Sequence, residues 1–240
     1  MSISENVQSV LSRINTAAAA CGRRPDEIAL VAATKMNSAE NVAQAISAGI
    51  KICGENRVQE LCEKYAEGAY KGAQLHFIGH LQRNKVRQLV GKCDLIQSVD
   101  SMELLAEIDS QAKKLGLRQN ILLEVNIANE DSKSGFSPEE IWNAMDLIGD
   151  FPCIFVRGLM AIPPISHKTG ENCGYFAAMK QLFVDIQAKK YDNVSMDFLS
   201  MGMSGDFEDA IAEGSNMVRV GSAIFGARPY TPRQACGKQE

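Results

Sequence analysis

One lysine in the sequence, Lys35, stands where an amine could form a covalent bond to a carbonyl compound. It comes just after the unbroken apolar run of residues 28–33, which is typical of a strand buried on both faces of a parallel sheet. A lysine at the end of such a strand is partly desolvated, and desolvation favours the neutral, nucleophilic form of an amine. The position is therefore compatible with Schiff-base chemistry, but position alone fits equally a lysine that extends from the rim of the sheet into solvent.

Two segments rich in glycine and serine could bind a phosphate group. Residues 200–206 (SMGMSGD) join a strand-like run to a helical pattern, and residues 220–226 (VGSAIFG) follow the last strand-like run. Glycine lets the backbone approach a ligand closely, and N–H groups at the start of a helix face an anion. Ordinary βα turns have a similar composition, but phosphate sites recur after strands seven and eight of barrels. Neither segment matches the NTP-binding pattern GxxxxGK[ST].

Other chemistries lack the residues that they need. His76 and His80 are two of only three histidines, and they lie in a strand-like run and the loop after it. They do not share a helical face, so we expect no metal site. The absence of a GxSxG pattern disfavours a serine hydrolase. Arg219 lies near the end of the last strand-like run, but an isolated arginine is more often a salt-bridging residue, so its spacing alone does not assign a function.

Strand-like and helical segments alternate along the chain, and this alternation predicts a parallel sheet with right-handed crossovers. The strands are expected at residues 28–33, 50–53, 75–78, 95–99, 121–127, 154–160, 198–201 and 218–220, and the helices at residues 5–21, 38–48, 57–66, 85–91, 101–115, 138–148, 173–189 and 206–213. Eight such units predict a (β/α)8 barrel of the TIM type, an α/β fold, with a doubly wound open sheet as the alternative. Polar and glycine residues follow most of the strands, so we expect the ligand site at that end of the barrel.

Domain organisation and cellular compartment follow from composition. No linker rich in proline, glycine and serine divides the 240 residues, so we expect one domain over residues 1–240, with a short C-terminal tail from about residue 229. The seven cysteines form no CxxC pair, which argues against a disulfide framework or a zinc ribbon. A net charge of −4 disfavours nucleic acid as the partner. The N-terminus lacks a signal sequence and no apolar run approaches the roughly 18–20 residues of a membrane span, so a cytoplasmic protein is expected.

Seven stretches of the sequence, in order and covering roughly residues 28 to 228, resemble the pyridoxal phosphate homeostasis protein family. That family is similar to the N-terminal barrel domain of alanine racemases. The stretches are residues 32–35 (AATK), 54–60 (GENRVQE), 76–85 (HFIGHLQRNK), 126–127 with 132–135 (NI and SKSG), 157–163 (RGLMAIP), 199–204 with 206 (LSMGMS and D), and 218–226 (VRVGSAIFG).

The resemblance implies a site for pyridoxal 5′-phosphate (PLP). Lys35 would carry the cofactor as a Schiff base, Asn56 would line the ring pocket, and Arg219 would face the pyridine nitrogen. The phosphate would be held by Ser200 or Ser204 together with Gly221 and Ser222. Residues 36–38 read MNS where the family often has TKP, which puts in doubt a second lysine that assists cofactor transfer.

The function that the resemblance implies is PLP binding in intracellular vitamin B6 homeostasis, with at most weak racemase-type activity. Expected partners are PLP and either PLP-dependent apoenzymes or amino acids, and the expected assembly is a monomer or a weak dimer. The alternative is a PLP-dependent amino-acid racemase, but those enzymes use a tyrosine base from a second domain, which Tyr230 or a partner would have to supply. An aldolase-type barrel would also explain Lys35 and the phosphate segments, but not Arg219.

Overall fold

Eight parallel strands form one closed barrel in chain order. They are β1 (Ala29–Ala33), β2 (Ile52–Glu55), β3 (Gln74–Phe77), β4 (Leu95–Val99), β5 (Gln119–Val125), β6 (Ile154–Ala161), β7 (Val194–Ser200) and β8 (Met217–Val220). The barrel closes because β8 pairs with β1, with Arg219 opposite Val31. This computed structural model describes residues 2–130, 133–166 and 168–226. It confirms the (β/α)8 barrel and excludes the open sheet.

Helices occupy the intervals between the strands, and one more precedes the first strand. They are α1 (Ile3–Ala20), α2 (Ala39–Ser47), α3 (Val58–Ala66), α4 (Met102–Leu115), α5 (Glu140–Asp146), α6 (Cys173–Lys189), α7 (Phe207–Ala212) and α8 (Ser222–Phe225), with short 3₁₀ helices at Pro25–Glu27, Arg83–Gln88 and Ile148–Asp150. Serine hydroxyls cap several first turns, as at Ser38, which accepts from the Asn41 N–H at 3.2 Å. In the part of the chain described, no helix combines the length and the apolar character needed to cross a bilayer.

The structure differs most from the sequence expectations at three elements, and several other boundaries shift by one or two residues. The helix expected over residues 85–91 is the 3₁₀ helix Arg83–Gln88, in which only Val86 is buried. Strand β7 begins at Val194, four residues before the expected start at residue 198, because its first half alternates with polar residues and is only partly buried. The four-residue helix α8 was not expected at all. The C-terminal tail expected from about residue 229 lies outside the described residues.

Helix α1 packs against α7 and α8 and so joins the start of the chain to its last βα units. The Asn6 amide donates to the Ile224 carbonyl at 2.9 Å, and Arg13 pairs with Glu208 at 2.6 Å. Arg23, just after the helix, donates to the Ser215 carbonyl at 2.7 Å. These contacts fix the loops that surround α7 and α8, which carry part of the candidate site.

Apolar side chains fill two layers, one between the sheet and the helices and one inside the barrel. The inner layer is small and is built from Val31, Ile78, Leu95, Leu122, Met160 and Met217. Polar side chains share that interior, among them His76, Gln97, Ser200 and Arg219, all less than 5% exposed. Burial lowers the pKa of His76 to about 3, so this histidine is neutral in the folded protein.

Close packing of β6 on β7 leaves no room for a side chain at Gly158. An added Cβ would lie 1.9 Å from the Phe198 carbonyl oxygen, and the backbone has φ +139°. We expect Gly158→Ala to lower the free energy of unfolding by about 2–4 kcal/mol, since backbone strain and steric overlap add together. Urea titration followed by circular dichroism measures the loss. The control is Gly149→Ala, where an added Cβ meets no atom within 4 Å, and equal losses in the two variants would contradict the prediction.

Candidate functional site

A cavity of about 390 Å³ opens at the carboxyl ends of the strands and gathers six of the seven site residues expected from the sequence. The six are Lys35, Asn56, Ser204, Arg219, Gly221 and Ser222. Sequence reasoning missed five other lining residues, Ala33, Ile78, Ile162, Met203 and Gly205. The cavity is therefore lined by an amine, a guanidinium, two serine hydroxyls and several apolar side chains.

Ser200 is the expected site residue that does not line this cavity. It is fully buried at the end of β7, where its hydroxyl donates to Gln97 Oε1 at 2.7 Å and accepts from Arg219 Nη1 at 2.5 Å. Both bonds hold the hydroxyl within the protein. Of the two serines proposed for phosphate binding, Ser204 is the one that the structure brings to the cavity.

Arg219 presents a buried positive charge to the cavity from the end of β8. It is only 4% exposed, and besides its bond to Ser200 its Nη2 donates to the Ala161 carbonyl at 2.9 Å. Burial lowers the pKa of Arg219 to about 10, and the nearby Glu124 and Asp206 oppose that change. The guanidinium therefore stays charged at neutral pH, and two hydrogen bonds fix its orientation.

A hydrogen bond joins the two glycine–serine segments across the cavity. The Gly221 N–H donates to Ser204 Oγ at 3.2 Å, so the ends of β7 and β8 present hydroxyl groups and backbone side by side. The buried Asp206 shapes the first segment by accepting from the Met203 N–H at 2.7 Å and from the Asn172 amide at 2.9 Å. A Cβ at Gly205 would meet nothing within 4 Å, which leaves the backbone there open to a ligand. Hydroxyls and exposed backbone in this arrangement suit a phosphate.

Asn56 lines the cavity directly after strand β2. Within the described part of the chain its Oδ1 is buried and accepts no hydrogen bond, although buried polar atoms are nearly always paired. The Asn56 backbone approaches Gly79 so closely that a Cβ there would lie 2.2 Å from the Asn56 carbonyl oxygen. This tight contact fixes the position of the Asn56 backbone at the cavity.

A second cavity, of about 220 Å³, adjoins the first and shares Asn56, Ile78 and Ile162 with it. Its polar lining includes His80, Lys133 and Ser134, which sequence reasoning did not assign. His80 Nδ1 lies 3.0 Å from Asp100 Oδ2, and Lys133 Nζ donates to the Ile162 carbonyl at 3.3 Å.

Glu124 is a buried carboxyl in the wall of this second cavity, on strand β5. It is 8% exposed, and burial raises its pKa to about 7, with Asp100 adding to the rise and Arg219 opposing it. A glutamate inside the run ILLEV was the available signal, because charged residues are rarely buried without a function or a partner.

The residues around the first cavity suit a compound that carries both a carbonyl and a phosphate. An amine such as that of Lys35 can form a Schiff base with a carbonyl, and hydroxyls such as those of Ser204 and Ser222 can donate to a phosphate. Among the described residues no group of His, Cys, Asp and Glu side chains is placed to hold a metal ion. Tyr230, the candidate second base, lies outside the described residues.

The closed barrel, the lysine after strand one and the hydroxyl-bearing loops after strands seven and eight define a barrel of the alanine racemase type. The family described as alanine racemase, N-terminal domain, matches residues 6–229. Within it, the chain belongs to the pyridoxal phosphate homeostasis protein family, which confirms the resemblance seen in the sequence.

Three relatives support the assignment of the chain to this family. The pyridoxal phosphate homeostasis protein of Aquifex aeolicus is 39% identical over 230 residues, which are 96% of this chain and 100% of that protein. Its counterpart in Escherichia coli K12 is 38% identical over 234 residues, 96% of this chain and 99% of that protein. The solved structure of PipY from Synechococcus elongatus, with PLP bound, has a TM-score of 0.81 and 31% identity, and the match covers 93% of this chain and 100% of PipY.

The raised pKa of Glu124 predicts a specific dependence of stability on pH. A carboxyl with a higher pKa in the folded than in the unfolded state binds a proton on folding, so its contribution to stability is lost as the pH rises from about 4.5 to about 7. We expect Glu124→Gln to remove this loss and to raise the free energy of unfolding at pH 8 by roughly 2–3 kcal/mol.

Urea unfolding of the ligand-free protein between pH 5 and pH 8 tests this expectation. The control is Glu63→Gln, at an exposed position on α3. In this variant the free energy of unfolding should change with pH as steeply as in the parent protein. If the free energy of unfolding of Glu124→Gln depended on pH as steeply as that of the parent, the Glu124 carboxyl of the folded parent would be ionised throughout this range.

Proposed function

We propose that this chain holds PLP as a Schiff base on Lys35 and acts in PLP homeostasis in the cytoplasm, with little catalysis of its own. The observation that carries the proposal is the single cavity that brings Lys35, Arg219 and Ser222 together. The similarity to PipY, whose solved structure contains PLP, supports the choice of ligand.

Each part of PLP has a counterpart in the cavity. Lys35 would bond to the aldehyde carbon, and Ser204, Gly221 and Ser222 would hold the phosphate. Asn56, whose buried Oδ1 accepts no bond from the described residues, would bind at the ring. When bound, PLP supplies an electrophilic aldehyde and an electron-withdrawing ring.

Arg219 supports a carrier rather than a racemase. Racemases rely on electron withdrawal into the ring, which a proton on the ring nitrogen promotes. The guanidinium is fixed by Ser200 and the Ala161 carbonyl, so its charge cannot turn away from the cavity that it lines. A fixed positive charge disfavours protonation of a nitrogen beside it. Arg219 would therefore keep the ring nitrogen neutral and the chemistry weak.

The wider assignment is a single-domain protein over residues 1–240 that exchanges PLP with other molecules. PLP-dependent apoenzymes and amino acids are the two proposed classes of partner, because both react with the aldehyde of PLP. A monomer or a weak dimer is the proposed assembly. Neither nucleic acid nor a membrane is a proposed partner, since the net charge is −4 and the described helices include no candidate membrane span.

The assignment of Lys35 is tested by reducing the PLP-loaded protein with borohydride and locating the modified residue by mass spectrometry. We expect the adduct at Lys35 and its loss in Lys35→Ala, because the imine requires this amine. Lys133 lines the neighbouring cavity, so the modified position must be mapped as well as its amount. The control is Lys133→Ala, which should retain the adduct at Lys35. An adduct located at another lysine in the parent protein would refute the assignment.

The phosphate assignment is tested by comparing PLP with pyridoxal, which lacks the phosphate. We expect Ser222→Ala to weaken PLP binding by about 1.5–3 kcal/mol, or roughly ten- to hundred-fold, through loss of a hydrogen bond to a charged group. Pyridoxal binding should change little. Titration of the ligand-free protein measures both affinities, and Ser200→Ala serves as the comparison. Equal losses for the two ligands in Ser222→Ala, or a loss specific to PLP in Ser200→Ala alone, would contradict the assignment.

A further inference from the structure

Both peptide groups that flank Lys35 are bonded to one charged pair on helix α3. Lys64 Nζ donates to the Thr34 carbonyl at 2.8 Å, and Glu60 Oε1 accepts from the Met36 N–H. Lys64 and Glu60 are themselves 2.8 Å apart, one helical turn from each other. The pair therefore holds the main chain immediately before and after Lys35 and does not line the cavity itself.

A buried carboxylate fixes this pair to the barrel. Glu55, fully buried at the end of β2, accepts from Lys64 Nζ at 2.6 Å and from the Thr34 hydroxyl at 2.7 Å. The Tyr70 hydroxyl donates to the same oxygen at 3.3 Å, and the other oxygen accepts from the Asn56 N–H at 3.2 Å. Removing one member of such a buried network leaves an uncompensated charge, so the members act together.

The main chain that this network holds is strained. Met36 has φ +62°, in the left-handed region that side chains other than glycine, asparagine and aspartate rarely adopt. Its side chain is 53% exposed, so packing does not impose the conformation. The Asn37 N–H donates to the Thr34 carbonyl at 3.1 Å and closes a tight turn around Lys35. A strained turn at a functional residue persists only when the surroundings enforce it.

We infer that Glu60 and Lys64 are positioning residues that hold the strained Thr34–Met36 turn in the conformation that directs Lys35 into the cavity. The inference rests on the proposed function, since it concerns formation of the bond between Lys35 and PLP. Without the pair, Met36 relaxes to a negative φ and the Cα–Cβ direction of Lys35 changes. The proposed phosphate residues lie after β7 and β8, and Asn56 is held by Glu55 rather than by Glu60. The effect of replacing Glu60 therefore falls on the covalent bond.

A ligand that cannot form a Schiff base separates positioning from general damage to the site. Pyridoxine 5′-phosphate has the phosphate and the ring of PLP but an alcohol in place of the aldehyde. We expect Glu60→Gln to weaken PLP binding roughly ten-fold, the effect of one charge-assisted hydrogen bond, and to change pyridoxine 5′-phosphate binding less than about two-fold. The imine absorbance band should fall in parallel with PLP affinity. Lys64→Met would also deprive the buried Glu55 of its ion pair, so Glu60→Gln is the diagnostic variant. Glu63→Gln on the same helix is the matched control.

A second substitution tests the strained turn directly. Glycine adopts a positive φ without strain, so Met36→Gly in the Glu60→Gln background should restore most of the lost PLP affinity. These measurements distinguish a loss of Lys35 positioning from general damage to the site, and circular dichroism of each variant verifies its fold. Equal weakening of PLP and pyridoxine 5′-phosphate, or no weakening of PLP, overturns the inference, and so does a failure of Met36→Gly to restore binding. If borohydride trapping places the wild-type adduct elsewhere than Lys35, the proposed function fails separately.

Discussion

Parallel pairing between the first and the last strand is the constraint on which the site depends. Ala32 lies opposite Val220 in that pairing, so the chain leaves both strands at the same level of the barrel. A Cβ at Gly221 would lie 3.3 Å from the Ala33 Cβ, which shows how closely the two exits approach. The amine that follows β1 and the hydroxyl that follows β8 are therefore neighbours, although nearly the whole sequence separates them. A shift of one residue in this register would turn every side chain to the opposite face.

A chain of hydrogen bonds crosses the barrel interior beneath the cavity. It runs from Arg219 to the Ser200 hydroxyl, on to Gln97, and ends 2.9 Å away at His76 Nδ1. The four residues belong to strands β8, β7, β4 and β3, so the chain links both sides of the barrel. Because His76 is neutral, Arg219 is the sole charge within this chain. A buried polar network that is fully paired favours one arrangement of its members, which keeps the guanidinium in place.

Local patterns in the sequence allowed the barrel to be predicted, and the resemblance to a family added Asn56 and Arg219 to the candidate site. Apolar runs located the strands, and the residues after those runs were bound to meet at one rim, as Lys35 and Ser222 do. The role of Ser200 was not predictable, because its partner Gln97 lies 103 residues away and only the closed barrel brings them together. The predicted strand β7 was too short because the first half of the strand contains polar residues and is only partly buried. The network of Glu55, Glu60 and Lys64 was not predicted for a related reason. The apolar pattern of a helix does not show which of its charged side chains are directed toward the barrel.

The packing of helix α1 on the last βα units has a consequence for how the chain acquires its site during synthesis. The bond between Asn6 and the Ile224 carbonyl spans 218 residues, so helix α1 is translated long before the segment against which it packs. Contacts of such long sequence separation form slowly and leave the early segments exposed in the meantime. Lys35 is likewise translated long before the loops that would hold a phosphate. A nascent chain therefore carries Lys35 before the cavity exists, and the cavity is complete only when strand β8 closes the barrel.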